Sequence, residues 1–92
     1  MQIPTDFKIG RRRFKVRSVS KLPRGARGEV YYTPAVVKLS LDYTDAQRAE
    51  TFWHEITHAI LHDMSHRLWR DEDFVVDFSK RLAQVVRSAR LV

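Results

Sequence analysis

At Thr44 the hydrophobic period of the chain changes, and that change divides the sequence into two kinds of structure. Ahead of it, residues 7–9 and 14–19 alternate apolar and charged positions around Gly10, with RRR at 11–13 in or beside the turn. KLPRGARGE at 21–29 holds one proline and two glycines and reads as a loop. Residues 30–33 and 35–41 read as two further short strands meeting at Pro34, a residue that favours a tight connection or an edge. From Thr44 onward the period is helical. Thr44-Asp45-Ala46-Gln47 has the pattern of a capping box. Ala49, Phe52, Trp53, Ile56, Ile60 and Met64 then fall on one face, which predicts a helix over 45–64. A second helix is expected over 71–90, with Phe74, Phe78, Leu82, Val85, Val86 and Ala89 on its stripe. Asp71, Glu72 and Asp73 lie in its first turn, where the helix dipole favours negative charge. Ninety-two residues leave room for one modest core, and no repeat or low-complexity segment interrupts them. The expectation is a single α+β domain over 1–92, a small antiparallel N-terminal sheet followed by two helices.

The first helix carries WHEITHAIL at 53–61. His54 and His58 are four residues apart and stand about 40° apart around a helix. Both face nearly opposite to the stripe through Ile56 and Ile60, whereas a core histidine would lie within it. Two imidazoles one turn apart can bind one metal ion through their ring nitrogens, the arrangement that zinc uses in HExxH helices. Glu55 sits beside the pair, close enough to take a proton from a water on the metal without being a ligand.

A catalytic zinc site takes three protein ligands and keeps one position open. Several residues could be the third. His62 continues the helix, but three ligands spaced by four drift away from a common point. His66 lies at or past the helix end and could fold back. The metzincin pattern places a histidine six residues after the second one; that position is Met64 here, so that pattern does not apply. The acids opening the second helix remain: Asp71, suited to cap it, Glu72, with the longer reach, and Asp73.

A basic, strand-rich first half followed by WHEITHAILHDM and then DEDFVVDFSKRL resembles the small ImmA/IrrE-type metallopeptidases found in phage and prophage genomes. These are gluzincin-like: a short sheet, a helix with HExxH, and a following helix that supplies a glutamate ligand. In that family the glutamate precedes a Phe-small pair, and Glu72 stands six residues before Phe78-Ser79. The resemblance implies a minimal zincin-like fold with His54, His58 and Glu72 as zinc ligands and Glu55 as general base. The implied activity is hydrolysis of a peptide bond in a protein or peptide substrate. Tyr31, Tyr32, Tyr43 and His62 are candidates for steadying the oxyanion, and an extended peptide could add along a strand such as 36–41.

Charge and composition bear on partners. The net charge of +6 is uneven: residues 1–38 hold ten Lys/Arg against Asp6 and Glu29, while residues 39–92 hold seven against nine acids. Residues 8–27 could therefore face nucleic acid or an acidic partner, with RRRFKVR at 11–17 as a contact strip. This supports two alternative readings: a zinc-containing but non-enzymatic module that binds nucleic acid or protein through its basic sheet, and a nucleic-acid-binding protein without metal that uses the RRRFKVR strip. With no cysteine there is neither disulfide nor thiolate site. No apolar run approaches membrane-spanning length and the first residues lack the apolar core of a signal peptide, so a soluble, cytoplasmic protein with no membrane contact is expected. The sequence sets no oligomeric state.

Overall fold

The computed structural model describes residues 3–91. Strands β1 (Asp6–Ile9), β2 (Arg12–Val19), β3 (Gly28–Tyr32) and β4 (Ala35–Ser40) form one sheet, and helices α1 (Asp45–Asp63) and α2 (Glu72–Ser88) follow. The α+β layout is the expected one. Gly10, at φ +59°, turns β1 into β2, so that Phe7 faces Phe14 across the hairpin with the rings stacked at 5.1 Å. A left-handed backbone of this kind suits glycine because no Cβ opposes it.

The strand order is β1-β2-β4-β3, and the β2–β4 pairing is parallel while the other two are antiparallel. The sheet is thus mostly antiparallel rather than wholly so. The loop between β2 and β3, which includes a short 3-10 turn at Pro23–Gly25, carries β3 to the outside. β4 then returns from β3 into the space beside β2, in the same direction as β2. One consequence corrects the peptide-docking expectation for residues 36–41: β4 is paired on both sides, so its backbone has no free edge. Its run Val36, Val37, Leu39 and Ser40 is buried without strict alternation, as befits a strand flanked by neighbours on both sides. The edge strands are β1 and β3, and of the two it is β3 that packs beside α1.

Helix α1 starts at the anticipated capping box: Gln47 N donates to Thr44 Oγ1 at 3.2 Å, and Thr44 N donates to Gln47 Oε1 at 3.0 Å. Its inner face, Phe52, Ile56 and Ala59, packs on Phe14, Val37 and Leu39 to form the core. Ile60 and Met64, expected on that face, are exposed. α2 is capped by Asp71, whose carboxylate accepts from Phe74 N at 3.0 Å. It meets α1 through the small residues Ser79 and Ala83 with Val75, and not through the predicted stripe: Phe78, Val85 and Val86 are exposed. Small side chains let two helix backbones approach closely, and the bulkier residues are left on the flank. Among the described residues no helix is long and apolar enough to cross a membrane.

This division of α1 sets measurable stabilities. Phe52→Ala, at a fully buried site, is expected to lower the unfolding free energy by about 3–5 kcal/mol. Ile60→Ala is expected to cost about 1 kcal/mol or less, with both read by urea denaturation. Equal costs at the two positions would contradict the packing described.

Candidate metal centre

His54 and His58 leave α1 on the flank that faces β3 and the start of α2, with their ring centroids 4.9 Å apart. The path from α1 to α2 determines what meets them. Ser65 takes a left-handed conformation at φ 51°, and the chain then turns tightly, with His66 N bonded to Leu61 O, Trp69 N to His66 O and Asp71 N to Leu68 O. These turns bring Glu72, the first residue of α2, opposite the histidines. Its Oε1 lies 2.8 Å from His58 Nε2 and its Oε2 lies 3.2 Å from His54 Nε2. His54, His58 and Glu72 form a group that could hold a metal ion, with ligand atoms all within 4.8 Å of one another.

The other candidates for third ligand are engaged elsewhere or stand apart. His66 Nδ1 accepts from Leu68 N at 3.1 Å and supports the turn. His62 stacks on Tyr32 with centroids 3.7 Å apart. Asp71 caps α2, and Asp73 is not in the cluster.

The donor atoms suit a cation. His58 Nδ1 lies 2.6 Å from the Trp69 carbonyl oxygen. A carbonyl can only accept, so Nδ1 donates and the lone pair of Nε2 points at Glu72. If the His58 ring is neutral, its Nε2 lone pair faces Glu72 Oε1 at 2.8 Å, which is repulsive unless a positive charge lies between them, whereas a neutral His54 can donate from Nε2 to Glu72 Oε2 at 3.2 Å. At His54 burial lowers the pKa, and the Glu72 carboxylate offsets this only in part. A tetrahedral ion about 2.1 Å from each donor needs the donors about 3.4 Å apart. Glu72, with its side chain 65% exposed, has room for the small adjustment.

Glu55 is not one of the three. It is 7% exposed, and burial pushes its pKa up to about 7; the neighbouring His58 lowers it, while Glu72 and Glu29 add to the rise. Gly28, at the start of β3, makes room for it. A Cβ there would lie 2.6 Å from Thr51 Cγ2, closer than atoms pack, and 3.3 Å from Glu55 Cγ, a tight contact. A groove of about 790 Å³ runs between β3 and the α1–α2 connection, with His54, Glu55, His58 and Glu72 among its lining and Arg24 and Arg70 also on its walls. A second cavity of about 380 Å³ shares Gly28, His54 and Glu55 and extends past Arg27 toward Val76, Ser79 and Lys80 of α2.

Of the four candidate oxyanion donors, Tyr31 and Tyr32 line the groove. The Tyr31 hydroxyl donates to Glu29, and that of Tyr43 donates to Gly25 O at 2.8 Å. The Tyr32 hydroxyl is buried without a hydrogen-bond partner, and burial together with the Glu55 charge pushes its pKa up to about 12, so it remains a donor at neutral pH. The basic stretch 8–27 is divided in space. Arg24 and Arg27 reach the two cavities, whereas Arg12 lies over the Phe14 ring and Arg13 pairs with Asp6 on the hairpin. Two contributors had no distinct signal in the sequence. The Trp69 carbonyl is a backbone group, and Gly28 was indistinguishable from an ordinary loop glycine.

No protein-family model matches the chain, and neither the curated proteins nor the solved structures hold a match to it.

The raised pKa of Glu55 predicts a pH dependence of stability in the metal-free protein. The folded state holds the Glu55 proton up to about pH 7, whereas the unfolded chain releases it near its ordinary value of 4.5. Stability is therefore lost as pH rises through that window, by about 3 kcal/mol. Urea denaturation with chelator present should show Glu55→Gln gaining on the wild type by that order between pH 4.5 and 7. A constant difference across the window would refute the assignment.

Proposed function

We propose that the chain is a zinc-dependent peptidase that cleaves a peptide bond in a protein or peptide substrate. The observation that carries this reading is the position of Glu55. A buried carboxyl group with a pKa of about 7 opens onto the groove beside a His54–His58–Glu72 set. A site serving structure alone needs no such base and is closed by a fourth protein ligand. His62 and His66, which could have closed it, are held in other contacts.

Held by His54, His58 and Glu72, zinc would supply Lewis acidity, lowering the pKa of water and polarising a carbonyl. The remaining work falls to side chains of this protein. Glu55, buried beside the three ligand candidates and not one of them, would take the proton of the attacking water and pass it to the leaving amine. β3, with a free edge beside the groove, can hold an extended peptide by backbone pairing. The resemblance to ImmA/IrrE-type metallopeptidases agrees with this reading, as does a cytoplasmic setting for a cysteine-free chain.

The non-enzymatic reading has less support. Phe14, the aromatic within the RRRFKVR strip, is 3% exposed and stacked on Phe7, so it is no platform for bases.

The test combines metal analysis with proteolysis. Wild type should bind one zinc ion per chain, and His58→Ala and Glu72→Ala should lose it. Glu55→Gln should keep the metal while cleavage of a peptide library falls at least about 100-fold. Failure of the wild type to bind zinc would end the proposal, as would undiminished cleavage by Glu55→Gln.

A further inference from the structure

The outer flank of α2 is apolar and uncovered. Phe74 and Phe78 stack there with centroids 5.7 Å apart, Phe78 is 48% exposed and Val85 is 62% exposed. With Leu82 these residues recur at helical spacing along most of a helix about 25 Å long. An exposed apolar stripe of this length on a small domain marks a surface that another surface covers.

The charges beside the stripe indicate what covers it. Every charged residue from 71 to 77 is acidic (Asp71, Glu72, Asp73 and Asp77), and every one from 80 to 90 is basic (Lys80, Arg81, Arg87 and Arg90). A surface that complements α2 must carry basic groups opposite its start and acidic groups opposite its end. A second α2 running antiparallel does so. Asp77 and Arg81 are available for this: Arg81 Nη1 donates to the Asp77 backbone carbonyl at 3.0 Å, and among the described residues the Asp77 carboxylate is in no ion pair.

We propose that the chain forms a two-fold symmetric homodimer through antiparallel packing of α2 against α2 of a second copy. The axis passes the stripe near residues 79–80. Phe74 then meets Val85 of the second copy, Phe78 meets Leu82, and Asp77 lies near Arg81. Such an interface is self-complementary, as a two-fold requires. It leaves the metal centre open, because Val76 lines the cavity beside His54 and Phe78 lies about 200° further around the helix. The proposal does not depend on the metal centre or on any activity.

Sedimentation equilibrium of the whole chain from about 1 to about 100 µM tests it. Wild type should be dimeric, and Phe78→Asp monomeric with an unchanged circular-dichroism spectrum. Asp77→Arg and Arg81→Asp alone, both at exposed positions that do not endanger folding, should each weaken association about fivefold or more. The double variant should restore it, because each copy then presents the exchanged charges to the other. A wild-type monomer throughout the range overturns the proposal, and so does a dimer indifferent to Phe78→Asp. Single charge reversals that weaken the dimer without rescue in the double variant overturn the antiparallel register.

Discussion

The burial of Phe52, Ile56 and Ala59 of α1 against Phe14, Val37 and Leu39 of the sheet is the contact on which the rest depends. Once those three residues face the sheet, helical geometry assigns every other position of α1. Glu55 falls on the boundary between the core and β3, His54 and His58 fall on the flank facing the start of α2, and Ile60 and Met64 turn to solvent. The apolar contact is non-directional, but the helix converts it into fixed directions for the polar groups. A residue with no role in metal chemistry, such as Phe52, thus sets the angle at which the imidazoles are presented.

Around that scaffold the electrostatics are one-sided. Two imidazoles, the Glu72 carboxylate and the Glu55 carboxyl converge within one small region, and two tyrosines and two arginines border it. A low-polarity surrounding makes such a cluster costly unless protons or a cation balance it. The pKa shifts of Glu55 and His54 express that cost: each is displaced toward its neutral form, with burial as the leading cause. The Trp69 carbonyl fixes one imidazole in the tautomer that offers its lone pair inward, so the arrangement is prepared before any ion arrives.

Much of this was legible in the sequence. The change of period at Thr44, the capping box and the HExxH spacing are local signals, and local signals survive folding: the sheet-then-helices layout and the capped start of α1 are both observed. The convergence of Glu72 on the histidines was anticipated only with help from a resemblance, because it depends on a left-handed Ser65 and a chain of turns that spacing alone does not specify. The parallel β2–β4 pairing was not legible, since it follows from how far the loop before β3 swings. The outward placement of Phe74 and Phe78 was missed for a different reason. Periodicity identifies an apolar face without saying what it packs against, and α1 took the neighbouring face built from Ser79 and Ala83.

The stack of Tyr32 on His62, with Trp69 set edge-on to both rings, links three parts of the fold in one wedge. Tyr32 belongs to the edge strand, His62 to the last turn of α1, and Trp69 to the connection whose carbonyl orients His58. The strand that borders the groove is therefore in ring contact with the residue whose carbonyl orients His58 toward Glu72. If a peptide pairs with the edge of β3 as proposed, these three rings lie between that edge and the carbonyl to which His58 Nδ1 is bonded.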